Sequence, residues 1–305
     1  MTDLAELFEA HLNASWLRPE NVVWDTVASY WVRQQGFRRP TLDLGAGNGL
    51  FSFLTAGGRF DVDFDWFVQV EVDASLPSGD LYNARPCVLA PPVIRVPADR
   101  IDVALDHKPN LLEQASLLNL YDQTVVHDAN EPLPFNDGEF MTVFSNILHW
   151  LEKPLTTLRE CRRILGQGGQ AILCLPDARF SQYCESYQWR ALGSEWLRLL
   201  NGGRDACIRW TATRETLEQW AGEAGFHVVH HRPYLHERTL HVWDLGLRPL
   251  SRPLIKLVNG LESEARASLK REWMAAARPL LWALLEEELK APEPAGFHLF
   301  VLEKR

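Results

Sequence analysis

The chain has 305 residues, 46% hydrophobic and 23% charged, an ordinary globular composition that excludes disordered, collagen-like and low-complexity readings. Its 31 Lys and Arg against 40 Asp and Glu leave a formal charge of −9, which disfavours nucleic acid and anionic membranes and leaves a small molecule as the expected partner. Five cysteines with no C-x-x-C pair, a first segment (MTDLAELFEAHLNASWLRPE) lacking a signal-peptide apolar run, and no 18-residue apolar stretch predict a reduced, cytoplasmic chain without a membrane span.

Apolar residues recur at helical spacing from Leu4 to Leu12 and from Val23 to Val32, which predicts a helical N-terminal cap over residues 1–39. Pro40 ends it, Thr41 to Leu44 forms a short apolar strand, and Leu50 to Leu54 opens a helix. FDVDFDWFVQVEVD (60–73) alternates like a strand, and the prolines at 77, 86, 91, 92 and 97 stud the loop-like segment after it. A regular series follows: strand 101–106, helix 110–120, strand 124–129, strand 140–146, helix 154–165 and strand 168–176. Thr211 or Thr213 can cap a helix that stops at Gly225, before a strand over 226–231. A mainly helical stretch over 252–290 precedes a last strand over 297–304. Strands alternating with helices at this pace predict an α/β domain over 40–305 with a largely parallel sheet, interrupted by insertions near 57–100 and 240–292.

The strongest local feature is TLDLGAGNG (41–49). A buried strand runs into Gly45, Gly47 and Gly49, which lets a ligand lie against main-chain N–H groups at a helix start, at the carboxyl edge of the sheet. A dinucleotide fingerprint, G-x-G-x-x-G, would need glycine where Leu50 stands, which speaks against NAD. The spacing G-x-G-x-G, with Asp43 two residues ahead, instead resembles motif I of the class I S-adenosylmethionine (SAM)-dependent methyltransferases. HDANEPLPFNDGEFMTVFSNILHWL (127–151) and LRECRRILGQGGQAILCLPD (158–177) resemble that family's later motifs, in the right order.

The resemblance implies a Rossmann-like, doubly wound, mostly parallel seven-stranded sheet and SAM as cofactor. It places Gly45, Ala46 and Gly47 against the methionine part, with Asp43 supporting the turn. An acid after the second strand would hold the ribose. Glu71 and Asp73 compete for that role with Asp106, which the following HKPNLLEQA and a one-helix separation from Asp128 favour, with His107 alongside. Asp128 would accept from the adenine amino group, Ala129 and Asn130 would line the ring, and Ser145 and Asn146 would border the sulfonium.

His149 follows the fourth strand near the expected methyl position, which makes it the candidate general base; a packing role beside Trp150 is the competing reading. His227, His230, His231, His236 and His241 crowd one region, but adjacent strand residues point to opposite faces and no cysteine joins them, so no metal site is expected. Cys161 and Cys174 read as small core hydrophobes. Twelve tryptophans read mostly as core, with some available to line an aromatic acceptor pocket for a sugar or natural-product intermediate. Three functions follow: a small-molecule methyltransferase, a SAM-site enzyme with other chemistry, or a catalytically silent relative that binds SAM.

Overall fold

A computed structural model describes residues 2–68, 90–184, 191, 193, 208–247, 250–291 and 294–305. Its main sheet is made of β1 (Thr41–Leu44), β4 (Ile101–Asp106), β5 (Tyr121–Val126), β6 (Phe140–Ser145), β7 (Leu165–Pro176), β8 (His227–Tyr234) and β9 (Phe297–Glu303). Their order across the seven-stranded sheet is β5-β4-β1-β6-β7-β9-β8, parallel except for β9, which runs antiparallel to both neighbours. The fold is therefore the doubly wound, Rossmann-like one. The chain leaves β1 toward β4 on one side and β6 on the other, and at that switch point the carboxyl ends of the strands open a crevice.

Helices flank both faces. They are α1 (Thr2–Ala14), α2 (Pro19–Gln35), α3 (Leu50–Thr55), α4 (Pro109–Ser116), α5 (Pro154–Ile164), α6 (Arg214–Glu223), α7 (Glu237–Leu245), α8 (Ser251–Asn259) and α9 (Ser263–Lys290). Three of them, α2, α4 and α5, begin with proline at the first turn, where its missing N–H costs nothing and its fixed φ suits the helix. Of the two threonines able to cap α6, Thr213 does so, its hydroxyl accepting from the Thr216 N–H at 3.3 Å.

The strands divide their side chains between two cores with period two. Val143, Ala171, Leu173 and Phe300 pack with α5 and α6 on one face. Phe144, Ile172, Cys174 and Phe297 face the other way, joining Phe8 and Leu12 of α1, Val22 and Val27 of α2, Trp243 of α7 and Leu285 of α9 in one continuous core. Helix α2 packs along this face between the strands and the C-terminal helices, from Trp24 against Phe297 at the carboxyl ends to Gly36 just beyond its last turn, whose carbonyl accepts from the Gln170 side chain near the amino ends; its first half faces the crevice. This placement supplies one wall of the crevice.

Four expectations need correction. The described part of the alternating run, residues 60–68, does not continue as a strand. Only β2 (Arg59–Phe60) pairs, with β3 (Val93–Arg95) in a separate two-stranded sheet, and residues 61–68 are largely turns. The aspartates decide this, because Asp61 and Asp65 accept from the N–H groups of Asp63 and Phe67 and so satisfy locally what a strand would offer a partner. The buried ammonium of Lys270 then gathers the carbonyls of Val62 and Phe64 onto α9. Second, α4 stops at Ser116, since Asn119 turns left-handed (φ 53) and β5 begins at Tyr121, in register with Ile101. Third, β5 ends at Val126, three residues earlier than expected. Fourth, α7 was not foreseen. Glu288 of α9 fixes its start by accepting from the N–H groups of Leu235 and His236 and the hydroxyl of Thr239. Glu71 and Asp73 lie outside the described residues.

Candidate functional site

The glycine turn is shaped by contacts it cannot enlarge. Gly45 has φ +82, and a Cβ there would stand 2.1 Å from Cγ1 of Ile147, so only glycine lets the turn close against the loop after β6. Its N–H and that of Ala46 donate to the carbonyl of Leu105 on β4. Gly47 differs. A Cβ there would meet nothing nearer than Leu111 at 4.0 Å, because this face of the turn opens onto a cavity.

Two aspartates hold the turn from beneath and beside. Asp43 is buried, and its Oδ2 accepts from the hydroxyls of Ser52 (2.5 Å) and Tyr121 (2.7 Å), tying β1 to α3 and β5. Burial pushes its carboxyl up to about 6 although both hydroxyls pull the other way. Asp106, at the end of β4 and only 8% exposed, accepts from the N–H of Gly47 through Oδ2 and from that of Lys108 through Oδ1, each at 2.9 Å. Asp106 lines the same cavity as the glycines, with His107 Nδ1 3.4 Å from its Oδ1.

That cavity holds about 280 Å³. One lobe is made by residues 45–48, Asp106, His107, Lys108 and Leu111. The other is walled by Trp24, Asp25 and Ala28 of α2 with Cys174 of β7, Tyr234 of β8 and Phe297 of β9, and Phe51, Asn146, Ile147, His149 and Trp150 complete the lining. From β4 to β7 there are three inter-strand spacings, roughly 14 Å, so the lobes sit well apart along the sheet edge.

His149 is buried in the short 3₁₀ turn Leu148–Trp150, with a pKa pushed down to about 3 by burial, so the ring is neutral at pH 7. Its Nε2 accepts from the Trp150 indole N–H at 2.9 Å, which puts the ring proton on Nδ1. Nδ1 is buried with no partner among the described residues, and His149 lines the cavity. The ring is therefore built to donate a hydrogen bond; its one basic lone pair is already engaged.

Asp25 was not foreseen from the sequence. Its carboxyl lines the aromatic lobe, and no hydrogen bond to it is formed by any described residue. Asp25 is half-buried, and the desolvation of its carboxyl among these side chains pushes it up to about 7, opposed by the charge of Arg18, whose guanidinium is itself held by Glu20. Beside it the Tyr234 hydroxyl is bonded to the Cys174 thiol, which burial pushes up to about 12. Cys174 is thus both the core residue expected and part of the cavity wall. The only signal for Asp25 in the sequence was a single charged residue inside the mainly apolar run VVWDTVASYW (22–31).

The structure brings Gly45, Ala46, Gly47, Asp106, His107, Asn146 and His149 together around one cavity. Asp128, Ala129, Asn130 and Ser145 are not part of its lining. Asp128 stands exposed just after β5, where its Oδ1 accepts from the backbone and side-chain amides of Asn130. Ala129 packs into the core beneath, and Ser145 is fully buried under the loop that carries Asn146. Among the crowded histidines, His231 reaches His298 (3.0 Å), which in turn bonds Asp177 (2.8 Å), whereas His236 bonds Glu288. They serve different partners.

Residues 98–173 match the family described as a methyltransferase domain. Curated protein sequences give no match. Among solved structures, the chain is similar to the cyclase SpnF, with 16% identity, 91% of this chain and 80% of that one covered, and a TM-score of 0.47. It is also similar to a SAM-dependent methyltransferase of Thermotoga maritima described as a possible histamine N-methyltransferase (12% identity, 100% and 96% covered, TM-score 0.47). A third is a SAM-dependent methyltransferase of Mesorhizobium loti (15% identity, 91% and 98% covered, TM-score 0.46). Nothing about substrate or chemistry transfers at this level of likeness. The sheet order and the glycine turn give the chain a doubly wound, Rossmann-like fold, within which residues 98–173 are similar to the methyltransferase-domain family.

Proposed function

We propose that the chain is a SAM-dependent methyltransferase acting on a small organic acceptor. One observation carries the reading: the open face of Gly47 and the carboxylate of Asp106, far apart in sequence, line the same lobe at the switch point of the sheet. A side chain at position 47 would project into the space a ligand needs. An acid suits a ribose diol, and SAM carries no phosphates for it to repel. Asp106 would accept from the ribose hydroxyls with its free lone pairs, already oriented by the Gly47 and Lys108 amides, and Gly45 to Gly47 would face the amino-acid part. Asp128, with Ala129 and Asn130, would meet the adenine only if the ring extends past the cavity toward the end of β5. Asn146 would border the sulfur, with Ser145 holding its loop from below.

When bound, SAM supplies an activated methyl group on a cationic sulfur. The chain's task is then to orient an acceptor and exclude water, and orientation alone can remove several kcal/mol of barrier. The aromatic lobe serves that task, with the Nδ1–H of His149 available to a polar atom of the acceptor. Calorimetric titration with SAM, S-adenosylhomocysteine and NAD tests the reading. Binding of the first two and not the third, weakened roughly a hundredfold or more in D106A, is the expected result, given two charge-assisted hydrogen bonds. A wild-type protein that binds neither sulfur compound is the outcome that ends it.

A further inference from the structure

From the aromatic lobe we infer that the acceptor is an amine, bound as its ammonium by Asp25 and relieved of one proton by the same carboxylate. This rests on the methyltransferase reading and goes further by naming the acceptor's chemistry.

Asp25 lines the cavity from α2 and acts electrostatically on Tyr234 at the end of β8, four strands along the sheet from β1 and its glycine turn, which assigns it to the acceptor and not to the nucleoside. Around it in the lining stand Trp24, Tyr234, Phe297 and the Cys174 thiol, none of which carries a positive charge, and the Arg18 guanidinium that acts on it from outside the lining is already paired with Glu20. His149 across the lobe is neutral, and among the described residues the one cationic side chain in the lining, Lys108, follows Asp106 at the end of β4. An acid in such a place is costly unless something pairs with it. A carboxylate acceptor would add a second negative charge, and an alcohol would leave the first uncompensated. An ammonium group compensates it, and the same aromatic faces attract a cation through their negative quadrupoles. Trp24 and Phe297 are held for this, packed edge to face at 4.7 Å, with Trp24 also against Trp243 at 4.5 Å.

An ammonium nitrogen has no lone pair to offer. One N–H proton passes to a carboxylate oxygen of Asp25, the freed lone pair forms the new N–CH₃ bond as the methyl leaves sulfur, and the positive charge lost by sulfur reappears on the methylated nitrogen. Asp25 gives its proton to solvent when the product departs. The ledger of atoms and charge closes with no further reactant.

Matched probes test this. The protein saturated with S-adenosylhomocysteine is titrated with 2-phenylethylamine, 2-phenylethanol and 3-phenylpropanoate, for wild type, D25N and D25E. The expected result is an amine affinity at least roughly tenfold above the other two, lost in D25N and partly kept in D25E. Equal or better binding of the alcohol or the acid overturns the inference, as does an amine preference that survives D25N, or no amine binding by a protein that does bind S-adenosylhomocysteine. A second measurement removes the main rival, in which Asp25 serves the sulfonium. If D25N loses affinity for SAM while keeping that for S-adenosylhomocysteine, the carboxylate belongs to the sulfur and the amine assignment falls. Failure of S-adenosylhomocysteine to bind wild type strikes the methyltransferase reading itself, and is distinguishable from all of these.

Discussion

Asp106 and Asp25 share one cavity and have opposite circumstances. Asp106 is held by two backbone amides that fix its orientation and share its charge, whereas Asp25 stands among aromatic rings with no hydrogen-bond donor from any described residue. The first is oriented by the backbone before any ligand arrives, whereas the second is opposed only by the charge of Arg18, so on the proposed reading the protein carries its cost in the free state. The glycine-turn lobe is thus preorganised by local backbone, and the aromatic lobe by tertiary packing around a weakly compensated carboxylate.

The largest expected effect breaks the preorganised lobe. G45A combines a left-handed backbone with a methyl group driven into Ile147, and should cost roughly 2–4 kcal/mol in urea unfolding. G47A should cost only about 1–2 kcal/mol, from backbone strain alone, yet weaken SAM binding, because its Cβ projects into the cavity. If both variants lose stability equally and G47A binds SAM normally, the open face of the turn is not where the ligand lies.

The charge of Asp25 makes the next prediction. Its carboxyl titrates at 3.8 when unperturbed and at about 7 in the fold, so between those values the folded state holds the extra proton and stability falls as pH rises. D25N should be more stable than wild type by roughly 1–3 kcal/mol at pH 8 and no more stable at pH 4. Asp43, pushed up to about 6, drifts in the same direction, so the wild-type-minus-variant difference isolates Asp25. His149, Cys174 and Tyr234, which face the lobe from the β6–α5 loop, β7 and β8, keep their uncharged forms across this window. A difference that is flat with pH would show Asp25 to be solvated or paired.

The smallest effect concerns His149. With its basic nitrogen engaged by Trp150 and its pKa near 3, H149A should change acceptor affinity by less than about tenfold and leave the pH profile of turnover where it was. Loss of an activity limb between pH 5 and 8 in that variant would restore the general-base reading and weaken the contrast drawn with Asp25.

Asp106 stood out in the sequence through the family resemblance and its one-helix separation from Asp128, and the structure puts it at the end of β4 in contact with Gly47. The glycine turn and the place of Asp43 at the end of β1 were legible because their requirements are local: a strand must end and a turn must go left-handed. The alternation of strands and helices was legible for the same reason, since burial on a pleated or helical surface imposes its own period. Where short-range side-chain chemistry competed, as with the aspartates of 61–65, the period misled. What only the tertiary structure decided is the acceptor lobe. Asp25 and Trp24 of α2, Cys174 of β7, Tyr234 of β8 and Phe297 of β9 meet because α2 is packed between the sheet face and α7 and α9. No spacing along the chain encodes that meeting, for each of these residues taken alone is an ordinary member of its helix or strand, and their shared chemistry exists only once long-range packing has set them around the same space.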